Sequence, residues 1–187
     1  MIAWSALLLP ALLSGLAVFA LSALIHMVLR WHAPEYRGFS NEDEVRAAIN
    51  RGNPRPGQYV LPYGKEMAAM GTPEMQARYA EGPVGQLFLR PKGAPAMGAL
   101  LGTWFAYSLL TGLIAGYVAR ASLPAGAEFL RVLQVVGAAA WLGYAWGEPT
   151  ASIWKGQTWS STARYLLDGL LYALATGAIF ASLWPGA

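Results

Sequence analysis

The sequence predicts an all-α membrane protein: a four-transmembrane-helix bundle with a small mixed α/β cytoplasmic insert after helix one. Three observations lead there. Four long apolar stretches occupy Ile2–Leu29, Met97–Ala119, Leu130–Trp146 and Tyr165–Trp184. A polar insert, residues 30–95, separates the first from the second. The chain is 56% hydrophobic and only 12% charged, which leaves too few charges to coat a water-soluble domain of 187 residues.

The first, second and fourth stretches reach the ~20 apolar residues needed to cross a hydrocarbon core of ~30 Å, and the third is near the lower limit. Lipid offers no water to unpaired N–H and C=O groups, so such segments must be helical. The length suits one membrane domain over residues 1–187. The first stretch is expected to stay as a helix. It contains no Lys or Arg before Arg30, and it greatly exceeds the ~7–15 residues of a signal-peptide core.

Charge sets the expected orientation. Nine of the thirteen Lys and Arg fall between Arg30 and Lys92. With four spans, the connection holding Lys155 and Arg164 lies on the same side, and only Arg120 and Arg131 lie on the other. The positive-inside rule puts the richer side in the cytoplasm. The expected location is the bacterial inner membrane, multi-pass, with both termini on the non-cytoplasmic side. The net charge of +3 then reflects loops facing anionic lipid; nucleic acid is not an expected partner.

The insert shows local structure signals. Asn41 followed by Glu44 is a capping-box variant, opening a short helix that ends near Gly52. Thr72-Pro73-Glu74 supplies a cap, a proline in the first turn and an acid at the positive end of the helix dipole. Gln58–Leu61 and Gly85–Leu89 read as short strands that pair around this second helix. Tyr63, Met67, Met70, Tyr79 and Phe88 are the expected buried contacts. Met67, Met70 and Met75 raise the question of a soft metal. With no Cys and no nearby His, gap-filling is the expected role of these thioethers.

Small residues mark candidate packing seams. Gly98 with Gly102, and Gly112 with Gly116, have GxxxG spacing, and Gly102 and Gly112 are expected to face another helix. Gly147-Glu148-Pro149 should end the third helix, and an amphipathic turn through Ile153-Trp154 should follow. Trp4, Trp31, Trp154, Trp159 and Trp184 sit near the predicted boundaries, as an interfacial aromatic belt requires.

Ionisable side chains inside a bilayer are costly and become functional candidates. His26, Glu148 and Asp168 are expected at one depth, with Arg30 and Arg164 at the same level. His26 is the expected partner of Asp168, with Arg164 or Arg30 as competitors. Such a level serves as a proton relay, a metal site or a headgroup site; the plainer alternative is a clamp that fixes helix rotation. His26 and His32 are six apart and do not share a helix face, and two histidines are too few for a multihaem cytochrome. The absence of Cys excludes disulfides and thiolate sites. No GxSxG, HExxH, P-loop or GxGxxG pattern occurs. No catalytic residue, no metal site and no cofactor is expected from spacing.

The run Trp141-Leu142-Gly143-Tyr144, the segment Trp154-Lys155-Gly156-Gln157-Thr158-Trp159, and Asp168-Gly169-Leu170-Leu171-Tyr172 through Leu183-Trp184 resemble small bacterial four-helix membrane proteins of unknown function. The likeness is to the DUF1761 type, in which a Gly/Trp-rich third helix, a short polar loop and a last helix ending in Trp recur. The long insert departs from that pattern. The likeness implies a fold and no chemistry. The expected function is therefore that of a non-enzymatic accessory or structural subunit, with other membrane subunits or a second copy as partners beside the lipid bilayer. The alternative is binding or transport of a lipophilic molecule or a proton at the polar level. A membrane enzyme acting on lipid is the third class.

Overall fold

The computed structural model describes residues 2–186. The protein is mostly helical, and four of its helices are long and apolar enough to cross a bilayer: Trp4–Leu29, Met97–Ser122, Phe129–Lys155 and Trp159–Ser182. The chain divides into two compact units. One contains three of the four long helices whole, the third span, Phe129–Lys155, as far as Ser152, and the segment through Glu35; the other is Tyr36–Pro95 with Ile153–Gly156.

In the helical unit, α1 (Leu8–Ala23) follows a 3-10 turn at Trp4–Leu7 and ends in a π-helical stretch, Leu24–Leu29. The long helices pack in the cyclic order α1, α4 (Met97–Ser122), α5 (Phe129–Ala145) and α7 (Trp159–Ser182), so each touches two neighbours. Gly147 and Glu148 form the turn that separates α5 from α6 (Pro149–Lys155). Proline there sits at a helix start, where its missing N–H is harmless.

The fourth helix begins at Trp159, six residues before the apolar run at Tyr165. Its cap explains the difference. Thr158 Oγ1 accepts from the Ser161 N–H at 3.3 Å, and the polar turn that follows is already helical. Hydropathy marks where lipid begins, while capping marks where the helix begins.

The packing places small side chains inside and large apolar ones outside. Ala11, Ser14, Ser108, Ala115, Ala119, Ala140 and Thr176 are buried, while Leu8, Leu12, Leu16, Leu110, Ile114 and Leu174 are exposed. A water-driven core would show the reverse. Close approach through small residues, with branched chains turned outward, is the packing that hydrocarbon surroundings favour. Phe180, Leu7 and Ile25 are among the larger side chains that are buried as well, Phe180 against Gly116, where an added Cβ would collide with its ring.

The paired glycines divide. Gly112 packs on α1: a Cβ there would lie 2.8 Å from Ser14 Oγ and 3.6 Å from Ala11 Cα. Gly98 and Gly102 are exposed, and a Cβ at either meets nothing within 4 Å. The expectation that Gly102 faces a helix of its own chain is therefore corrected. Spacing puts both glycine pairs on one helix but does not say which side of it is covered.

The second unit holds α2 (Glu42–Arg51), α3 (Pro73–Glu81) and two strands, β1 (Gly57–Leu61) and β2 (Gly85–Leu89). The strands pair antiparallel, with Gly57 opposite Leu89 and Leu61 opposite Gly85. Thr72 caps α3 by accepting from the Met75 N–H. At α2 the Asn41 side chain does not cap the backbone; its amide donates to Glu44 Oε2 at 3.1 Å instead. Met75 is the buried methionine at 6% exposure, whereas Met67, Tyr63 and Phe88, expected inside, are exposed at 84%, 68% and 55%. Phe88 lies under the Lys155 ammonium, 5.8 Å from the ring centre.

Candidate functional site

The site forms where the end of the first span meets α7. The helix widens into its π turn, and the Arg30 N–H bonds back five residues to the Ile25 carbonyl at 2.9 Å. Arg30 then adopts a left-handed backbone with φ 52°. The chain reverses there, and a 3-10 turn at Ala33–Glu35 follows. This return brings Trp31, His32 and Glu35 onto α7, where straight helix would have carried them away.

Asp168 is the centre. Its side chain is 3% exposed. Trp31 Nε1 donates to Oδ1 at 3.0 Å, and His32 Nε2 lies 2.7 Å from Oδ2. His26 Nε2 is 3.9 Å from the same oxygen. The other face of His32 meets a second carboxylate, with Nδ1 2.9 Å from Glu35 Oε1. Arg164 Nη1 donates to that Glu35 oxygen at 3.2 Å. His32 bridges the two carboxylates, one ring nitrogen to each, and Arg164 brings a cation to Glu35, so neither buried carboxylate is left without a partner.

Burial alone would push the Glu35 carboxyl up. The His32, Ser161 and Arg164 hydrogen bonds to its charged form outweigh that, and the group sits below its ordinary 4.5. The rings add shape: His26 stacks on His32 with centres 4.8 Å apart, and Tyr165 lies against the other side of His32 at 4.7 Å. His26 Nδ1 is 3.0 Å from the Ser22 carbonyl, an acceptor only, so that nitrogen donates its proton there.

Beside this network lies a cavity of about 230 Å³, lined by Ser22, His26, Trp104, Tyr144, Glu148, Tyr165, Asp168, Gly169 and Tyr172. The Trp104 indole N–H is buried and has no hydrogen-bond partner among the described residues. Gly169 is required here. A Cβ would collide with Ala145, so its absence lets α5 and α7 close beside Asp168.

Of the residues singled out by their place in the spans, His26, Glu148 and Asp168 line this one cavity. The Glu148 carboxylate takes a long contact of 3.5 Å from Gln157 Nε2. Arg164 pairs with Glu35 and not with Asp168. Arg30 is exposed, and among the described residues its guanidinium meets no carboxylate. His26, the partner expected for Asp168, lies within ion-pair reach of it at 3.9 Å, and His32 and Trp31 are closer partners that were not expected. Sequence reasoning missed Trp31, His32 and Glu35. It judged the two histidines by helix spacing, but the helix ends between them. The available signal was Trp31-His32-Ala33-Pro34-Glu35 itself, an aromatic, a His and an acid gathered at the foot of a span.

Comparison with known protein families, with curated proteins and with solved structures returned no match. The site must therefore be interpreted from its own chemistry.

Proposed function

We propose that this is a multi-pass protein of the bacterial inner membrane that binds a small lipophilic molecule by its polar head, at the level of His26, Glu148 and Asp168. One observation carries the reading. Those three groups share a cavity with Trp104, Tyr144, Tyr165 and Tyr172. Aromatic walls with a few convergent polar groups are the usual make-up of a small-molecule site. A volume near 230 Å³ suits a head group of roughly one ring. The remainder of the molecule would lie along the exposed apolar chains of the helices. The charge bias of the loops supports a cytoplasmic insert and termini on the opposite side. Kinship with DUF1761-type proteins remains part of the proposal and lends it no chemistry.

A second reading, an accessory subunit of a membrane complex, is favoured by the open face at Gly98 and Gly102, where a partner helix would meet no side chain. The two readings are separated by what the protein holds. Wild type and Ser22→Phe, which fills the cavity from α1, are purified in mild detergent and their bound small molecules compared by mass spectrometry. The binding reading expects an organic molecule retained by wild type and reduced at least tenfold in the variant. Equal retention in both, or none in wild type, contradicts it.

A further inference from the structure

We infer that His26, His32 and Asp168 form a site for one divalent transition-metal ion of the Zn²⁺ type. The inference rests on reading this cluster as a binding site and names what binds beside the cavity. The chain has two histidines and no cysteine, so it can build a single imidazole site and no thiolate site. The fold brings both histidines to one carboxylate, although they come from a helix and from the loop beyond it. One ligand atom from each of the three residues lies within 4.8 Å of the other two.

The distances fit an ion. Bonds of ~2.1 Å in a tetrahedral site space the ligand atoms by about 3.4 Å. The two histidine nitrogens stand 2.7 Å and 3.9 Å from Asp168 Oδ2, on either side of that value. The two rings stack with planes 6° apart, so binding requires the His26 ring to turn out of that stack until its Nε2 lone pair points at the shared ion. Two imidazoles and one carboxylate oxygen favour Zn²⁺ and its first-row neighbours over Ca²⁺ or Mg²⁺, which need more oxygens.

The orienting groups are also present. Metal-binding histidines donate their second ring N–H to a carbonyl or carboxylate, which fixes the tautomer. His26 Nδ1 meets the Ser22 carbonyl, and His32 Nδ1 meets Glu35, itself held by Arg164. Trp31 holds Asp168 Oδ1, which leaves Oδ2 for the ion. The His26 side chain is 43% exposed, which leaves it room to turn. On binding, bonds form from the two Nε2 atoms and Oδ2, and the proton between His32 and Asp168 leaves to solvent. No electrons are exchanged. The sites left open on the ion remain for water or for the head of a ligand in the cavity.

The test titrates Zn²⁺ alone, by calorimetry, into protein stripped with a chelator in detergent. Wild type should bind one ion per chain. His26→Ala should weaken binding at least tenfold while the metal-free protein still folds, because the Trp31–Asp168–His32 contacts survive. Glu35→Gln should weaken it about 10–100-fold, the usual effect of removing a group that orients a ligand. No saturable binding by wild type, or equally tight binding by His26→Ala, overturns the inference. No organic molecule takes part in this titration. Its failure therefore leaves the retention result with Ser22→Phe standing, and failure of that retention leaves the zinc result standing.

Discussion

Asp168 and Glu35 are buried carboxylates that share one histidine, and each carboxylate has a further donor of its own. Trp31 steadies Asp168 and Arg164 steadies Glu35. The arrangement has a pH consequence through Glu35. Its carboxyl is held below 4.5 because His32, Ser161 and Arg164 favour the charged form. A lowered folded-state value means that the unfolded chain binds the proton first. The stabilisation is therefore complete above the unfolded value and lost as pH falls through the lower folded one. Wild type should lose thermal stability on acidification below about 4.5, and Glu35→Gln should show a shallower loss over that range. At neutral pH the variant should be less stable by about 1.5–3 kcal/mol, the scale of hydrogen bonds to a charged group. Detergent-phase melting curves at a series of pH values check both. Parallel pH profiles for the two proteins would contradict the role given to Glu35.

At the scale of elements, what could be read from sequence followed what lipid and backbone enforce. The four spans were legible because hydrocarbon demands long apolar runs, and the insert's second helix because Thr72-Pro73 is a cap with a mechanism. The start of α7 was not, since Thr158 caps a polar turn that hydropathy ignores. The π turn and the left-handed Arg30 were invisible as well, and they decide the site: by turning the chain back they put His32 where helix spacing forbids it. His26, Glu148 and Asp168 could be singled out only because ionisable groups are rare in apolar spans. Glycine spacing showed where helices can approach but not which pairs do. Gly112→Leu should lower stability by roughly 1–3 kcal/mol, because Ser14 and Ala11 leave no room for a side chain. Gly102→Leu should leave the isolated protein within about 0.5 kcal/mol of wild type. Equal losses in the two variants, read as melting temperature in detergent, would contradict this packing.

At the scale of the whole molecule, the exposed surface of the four long helices suits hydrocarbon surroundings. Leu8, Leu12, Leu16, Leu110, Ile114 and Leu174 face outward, while alanines, serines, threonines and glycines fill the seams. In water that surface would associate; in a bilayer it is solvated. The binding site, the proposed ion and the tail of any lipophilic ligand all depend on the same premise, that four helices cross the membrane. Single-cysteine labelling tests it directly, since the chain has no cysteine of its own. Gln58 in β1 and Ala125, in the turn between α4 and α5, are exposed. Ala125 is preferred to Gly126, whose φ of 75° disfavours a side chain. In intact cells a membrane-impermeant maleimide should label Ala125→Cys and spare Gln58→Cys, which should react only after the membrane is opened. The reverse pattern would overturn the orientation, and labelling of both from one side would contradict the four-span fold.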